Sequence, residues 1–139
     1  MLALEPVIAD RVREALTPLA ATWSVFGYST STGDRSSFPL ASVMFDAANV
    51  ADSRSGAVNI APGWRVTLVT RKSIQASATV DAAFAAVVSA LHNWAPGTVS
   101  ARPWNRLALV AVMAPQYPDD GLVGIEMVFN THARFDGQP

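Results

Sequence analysis

Residues Trp64 to Trp94, WRVTLVTRKSIQASATVDAAFAAVVSALHNW, place one strand and one helix in succession, and their periods decide what kind of fold the chain builds. Trp64, Val66 and Leu68 fall on one face and Arg65, Thr67 and Arg71 on the other, the two-residue alternation of a pleated chain. Beyond a polar link, Val80, Phe84, Val87, Val88 and Leu91 recur at three- and four-residue steps, making an apolar stripe wide enough to lie on a sheet. Ser77 or Thr79 can cap this helix through a side-chain oxygen, Asp81 suits its first turn, and Pro96-Gly97 stops it. Nothing in the unit discloses a reaction.

Upstream, Ile8, Val12, Leu16 and Leu19 repeat along Glu5 to Leu19 while Asp10, Arg11, Arg13 and Glu14 turn away, which predicts an amphipathic helix. Pro6 fits its first turn and Pro18 its end. Trp23 to Tyr28 reads as a short strand, followed by a polar loop, Ser29 to Ser37, that contains Gly33 and Asp34. Leu40 to Asp46 alternates again, with Ala41, Val43 and Phe45 on one side and Ser42 and Asp46 on the other, and Pro39 is tolerated at its start. From Ala47 to Gly63 the chain is polar and small, apart from Val58 and Ile60, and reads as an extended loop or hairpin arm projecting from the sheet. Segments that long in compact domains are usually functional or mobile, so the arm is a candidate contact surface through Asp52, Arg54, Val58 and Ile60. The plainer reading is a disordered surface excursion.

Downstream, Leu107 to Met113, LALVAVM, is apolar on both faces and predicts a central strand covered on both sides. Pro115 to Gly121 reads as a turn. Leu122 to Phe135 reads as one long closing strand, with Val123, Ile125, Met127 and Phe129 inward and Gly124, Glu126, Val128 and Asn130 outward. Strands grouped between two separated helices predict a single α+β domain over residues 1–139. Its sheet is mixed or antiparallel, of about four to six strands, with two main helices packed on it.

Half of the 139 residues are apolar, enough for one core, and a formal charge of −1 lacks the surplus that drives phosphate-backbone binding. The absence of cysteine removes disulfides, thiolate chemistry and cysteine zinc sites. Glu5 and Asp10 near the start, with no basic flank before an apolar run, do not resemble a secretory signal. The run Leu107 to Ala114 is far shorter than the roughly 20 residues of a spanning helix, so no membrane is expected.

Signs of chemistry are sparse. His92 and His132 have no HxH, HxxxH or carboxylate spacing around them and are expected to be structural or surface residues, with no metal site. No GxSxG elbow, GxGxxG or GxxxxGK[ST] occurs, so no catalytic residue and no cofactor is expected. Asp119 and Asp120, after Pro118, read as a solvated hairpin tip. Trp23, Trp64, Trp94 and Trp104 read as seals where helices meet the sheet, against a tryptophan-lined ligand pocket as the competing view. That view needs a buried titratable group, and the candidates Asp46, Glu126 and the histidines are unconnected in sequence. The pairs Arg71-Lys72 and Arg102-Arg106 read as solvated rims, with inter-subunit pairing as the second reading.

The run Leu91-His92-Asn93-Trp94-Ala95-Pro96-Gly97, followed by Arg102-Pro103-Trp104 and the strand Leu107 to Met113, resembles tail terminator proteins of long-tailed bacteriophages. The likeness covers most of the chain in order and texture. It takes in the N-terminal helix, Pro39 before an inward-alternating strand, a strand ending in Arg71, the helix DAAFAAVVSALHNW, and two closing strands with Phe129 near the end. The resemblance implies a non-enzymatic virion protein of the tail or neck, assembled in the bacterial cytoplasm. Such a protein forms a six-membered ring that caps the tail tube, stops its growth and presents a surface to the head connector. Its partners would be copies of itself, the tube protein and a head-closure or connector protein, with DNA crossing the lumen without sequence-specific binding. Candidate subunit or tube contacts are then Asp52, Arg54, Val58, Ile60, Arg71 and Lys72. The alternatives are another neck protein, or a small α+β ligand-binding protein or enzyme.

Overall fold

The computed structural model describes residues 1–29, 37–54, 56–115 and 121–138, and of 51–54 the backbone alone. The turn residues Gly33, Asp34, Pro118, Asp119 and Asp120 lie outside the described residues. The chain runs α1 (Leu4–Leu16), β1 (Ser24–Gly27), β2 (Leu40–Arg54), β3 (Ala57–Arg71), α2 (Ala76–Leu91), β4 (Gly97–Val99), β5 (Arg102–Trp104), β6 (Ala108–Met113), β7 (Leu122–Asn130) and β8 (Ala133–Asp136). Among the described residues these strands form a six-stranded mixed sheet of order β1-β2-β3-β7-β6, with β8 also on β3, and a two-stranded ribbon of β4 and β5. β1 is parallel to β2 and every other pairing is antiparallel. With two helices on the main sheet, the fold is α+β.

The helices sit where their stripes require. Leu4, Ile8, Val12 and Leu16 of α1 and Val80, Ala83, Val87 and Leu91 of α2 are at most 2 % exposed. They cover the sheet face of Trp64, Val66, Leu68, Met127 and Phe129, all fully buried. Register carries the same face across the sheet: Trp64 lies opposite Phe45 and Phe129, and Val66 opposite Val43 and Met127. The Phe45 ring meets Trp64 edge-on at 5.7 Å, a favoured aromatic geometry.

Both ends of α2 differ from the expectation. The helix starts at Ala76 behind Gln75, which makes no side-chain cap, and the Thr79 N–H already donates to the Gln75 carbonyl at 2.9 Å, so neither Ser77 nor Thr79 is the cap. It ends at Leu91, short of Pro96: His92 is extended and Asn93 is left-handed with φ 64°. The exit is captured instead. Asn93 N–H donates to the Leu107 carbonyl at 2.7 Å and Leu107 N–H to the Trp94 carbonyl at 2.8 Å, bonds a continuing helix would forgo.

Two strands also depart from the expectation. β6 is an edge strand, not a central one covered on both sides, and it leaves Val110 54 %, Val112 50 % and Met113 37 % exposed. Apolar residues on both faces cannot distinguish burial by the same chain from a surface left for another. The closing strand is broken at Thr131 and His132, where the Thr131 hydroxyl donates to the Asn105 carbonyl at 2.6 Å and Asn105 N–H to the His132 carbonyl at 3.1 Å. β7 pairs with β3 from Gly63 to Arg71, and β8 then takes over along Ala57 to Ile60. Residues 47–54 and 57–63 are the far halves of β2 and β3, in register from Ala47 opposite Gly63 to Ala51 opposite Asn59, and Gly56, before β3, takes φ 77°.

Where β3 and β7 approach, Gly124 has no room for a side chain: a Cβ there would lie 2.5 Å from the Leu68 carbonyl oxygen, which belongs to the central ladder and cannot retreat. Gly124→Ala is expected to destabilise the fold by about 2 kcal/mol through overpacking, read as a lower urea midpoint at unchanged slope.

Candidate functional site

On the sheet face opposite the helices, β3 presents Arg65 between two carboxylates. Its Nη2 lies 2.7 Å from Asp46 Oδ1 on β2, and its Nη1 3.6 Å from Glu126 Oε2 on β7. The two acids, unconnected in sequence, are therefore joined through one guanidinium across three neighbouring strands. Register explains it: Met44 and Val128 stand directly opposite Arg65, so Asp46 and Glu126 are diagonal neighbours on the same face, within reach of a long side chain. The side chain of Glu126 is 8 % exposed, that of Arg65 28 % and that of Asp46 34 %. Arg65 Nε and Glu126 Oε2 are buried without a hydrogen bond.

This face is not the solvated one that alternation implied. Glu126 and Val128, read as outward, are buried, as are Ser42 and Thr67 beside them. Two carboxylates on one cation make a cross-strand clasp with a net negative charge, and Thr67 stands opposite Glu126 in the ladder. The histidines lie elsewhere: His92 Nδ1 accepts the Leu109 N–H at 3.1 Å, and His132 Nε2 is 2.8 Å from the Asn105 amide nitrogen. Among the described residues no three histidine, aspartate or glutamate side chains converge as metal ligands.

Among the described residues, Trp23 and Trp104 border separate hollows. Trp64 and Trp104 are core residues. Trp94 carries the Arg11 guanidinium 5.1 Å from its ring centre, and Trp23 borders an open groove of about 400 Å³ with Leu19, Ala78 and Ala82. That groove has no ionisable side chain in its lining. A binding pocket of the competing kind needs convergent polar groups, and the groove beside Trp23 offers only Gln75 and Thr79.

The sequence-predicted contact residues fall into two groups. Val58 and Ile60 lie in β3 near the hairpin, half-buried between β2 and β8, opposite Phe135 and Ala133. Asp52 and Arg54 are on the facing strand β2, their side chains outside the described residues. Arg71 and Lys72 are exposed at the other end of β3, ~40 Å away by the rise of a strand. Arg71 stacks 4.9 Å from the centre of the Phe38 ring, and the Lys72 N–H donates to the Gly121 carbonyl. Sequence reasoning missed the exposed apolar positions Val50, Val110 and Val112. Uncharged LALVAVM carried the signal for the last two, read there as burial.

A chain in a solved structure titled "Virion of native gene transfer agent (GTA) particle" has the same fold, with a TM-score of 0.61 and 17 % identity over 95 % of each chain. No family model matches this chain, and no curated protein matches its sequence. No described helix is long and apolar enough to cross a membrane.

Removing the shared cation tests the clasp. Arg65→Met strands Glu126 with a buried charge and is expected to cost about 2 kcal/mol, below the range for fully buried pairs because Arg65 is partly exposed. Arg65→Met combined with Glu126→Leu should recover most of that loss in a denaturant double-mutant cycle.

Proposed function

We propose that the chain is a structural virion protein of the tail terminator type, a subunit that closes into a ring on the finished tail tube. The observation that carries this reading is the fold shared over 95 % of both chains with a chain of the gene transfer agent virion. The order of elements that resembles tail terminators supports it, from the N-terminal helix to Phe129. In this reading six copies join through heterologous contacts, one patch meeting a different patch of the neighbour. The arm of residues 47–63 then reaches a neighbour or the tube, and Arg71 and Lys72 meet another partner at the far end of β3. The tube protein and a head-closure or connector protein are the other partners, and the protein works by geometry, without catalysis.

Mixing the purified chain with growing tail tubes, followed by negative-stain microscopy, tests the role. Rings at tube ends and an arrest of elongation are the expected result; binding only to the head-side connector, with tubes still growing, assigns the chain to a neighbouring neck position instead. DNA transit sets a second condition. A lumen dense in Lys and Arg would hold the genome by counterion release, so Asp and Glu are expected to outnumber Lys and Arg on the pore wall of a ring map. A basic lumen contradicts this.

A further inference from the structure

Among the described residues, the main sheet has an unpaired strand segment on each side, one in β2 beyond the end of β1 and one in β6. Among the described residues, β1 pairs with β2 only from Leu40 to Val43, so β2 has no strand partner on its outer side from Met44 to the hairpin. At the opposite edge, the start of β6 is covered by the exit of α2: Leu107 bonds to the backbone of Asn93 and Trp94, and the Leu109 N–H to the ring of His92. From Val110 to Met113 that cover stops.

Edge strands are ordinarily blunted by lysine, proline or an inward charge, because an exposed ladder recruits another strand. Both edges carry bulges, at Val110 in β6 and on either side of Ala47–Ala51 in β2, but the segments beside them lack the other devices: β6 has no charged residue, and β2 has none from Ala47 to Val50. Both edges instead expose β-branched side chains: Val50 is 65 %, Val110 54 % and Val112 50 % exposed. Their faces agree. Val112 stands opposite Met127, and Val50 opposite Ile60, in phase with Trp64, so both side chains belong to the face that carries the helices. Two strands joined edge to edge would place them side by side as a cross-strand pair.

We propose that the Val110–Met113 edge of one copy adds to the outer edge of β2 in the next copy, between Met44 and the hairpin, so that the sheets of neighbouring subunits are continuous. The inference rests on the ring reading and names the contact that builds it. A second copy is the occupant because each chain offers both halves of the contact, at opposite edges of one sheet. Such a head-to-tail pairing repeats and closes by rotation, whereas a foreign strand would need only one of the two edges.

The chain has no cysteine, which makes the test direct. A Val50→Cys/Val112→Cys double variant, treated with a bis-maleimide long enough to span an adjacent register position, is expected to give a covalent ladder up to ring size. Each single variant should stay monomeric on the denaturing gel. Val112→Lys should abolish ring assembly, while Ile74→Lys, fully solvent-exposed but on neither edge, should not. Rings seen by microscopy without a ladder overturn the edge pairing and leave the ring reading intact. Dimers from Val50→Cys alone mean a two-fold pairing of arms and overturn it as well. A ladder without closed rings keeps the edge contact and refutes the ring; neither ladder nor rings refutes both.

Discussion

Trp64, Val66 and Leu68 lose all contact with solvent because two helices lie across β3 while β2 and β7 bond along its sides. Each such side chain contributes roughly 2–3 kcal/mol by leaving water, and all of them act on one strand. β3 also holds the next layer of organisation on its other face, where Arg65 reaches Asp46 and Glu126. A shift of register by one residue would exchange the two faces, putting Arg65 under the helices and Trp64 beside the carboxylates. The apolar face and the charge clasp therefore specify the same alignment.

That arrangement leaves the sheet unclosed. The helices cover one face, but nothing among the described residues pairs the outer side of β2 beyond Val43 or of β6 beyond Leu109. In a monomer working alone, unpaired apolar edge segments such as Val110–Met113 would invite irregular association. In the proposed ring, the same edges direct association to two places. The buried charges hold strands together, and apolar side chains are exposed at the edges.

Long elements with a clean period are legible in the amino-acid sequence alone. The stripe on α1, the alternation at Trp64 to Leu68 and the inward series Ile125, Met127 and Phe129 can be read because the surface between helices and sheet takes large apolar side chains at the period of each element. The α+β class follows from their order. Boundaries are less legible. α2 stops at Leu91 because Leu107 captures its exit, a contact between residues far apart in the chain that no local proline or glycine reports.

Sequence by itself determined which faces are apolar and that two helices and a set of strands share them, since hydrophobic period is a local property. Tertiary structure alone decided the rest: that LALVAVM is an edge, that one closing strand is two, and that Arg65 joins Asp46 to Glu126. The reason is the same in each case. Strand order and cross-strand neighbours are set by which segments meet after the chain folds back, and a two-faced apolar strand looks identical in sequence whether its own chain or another one covers it.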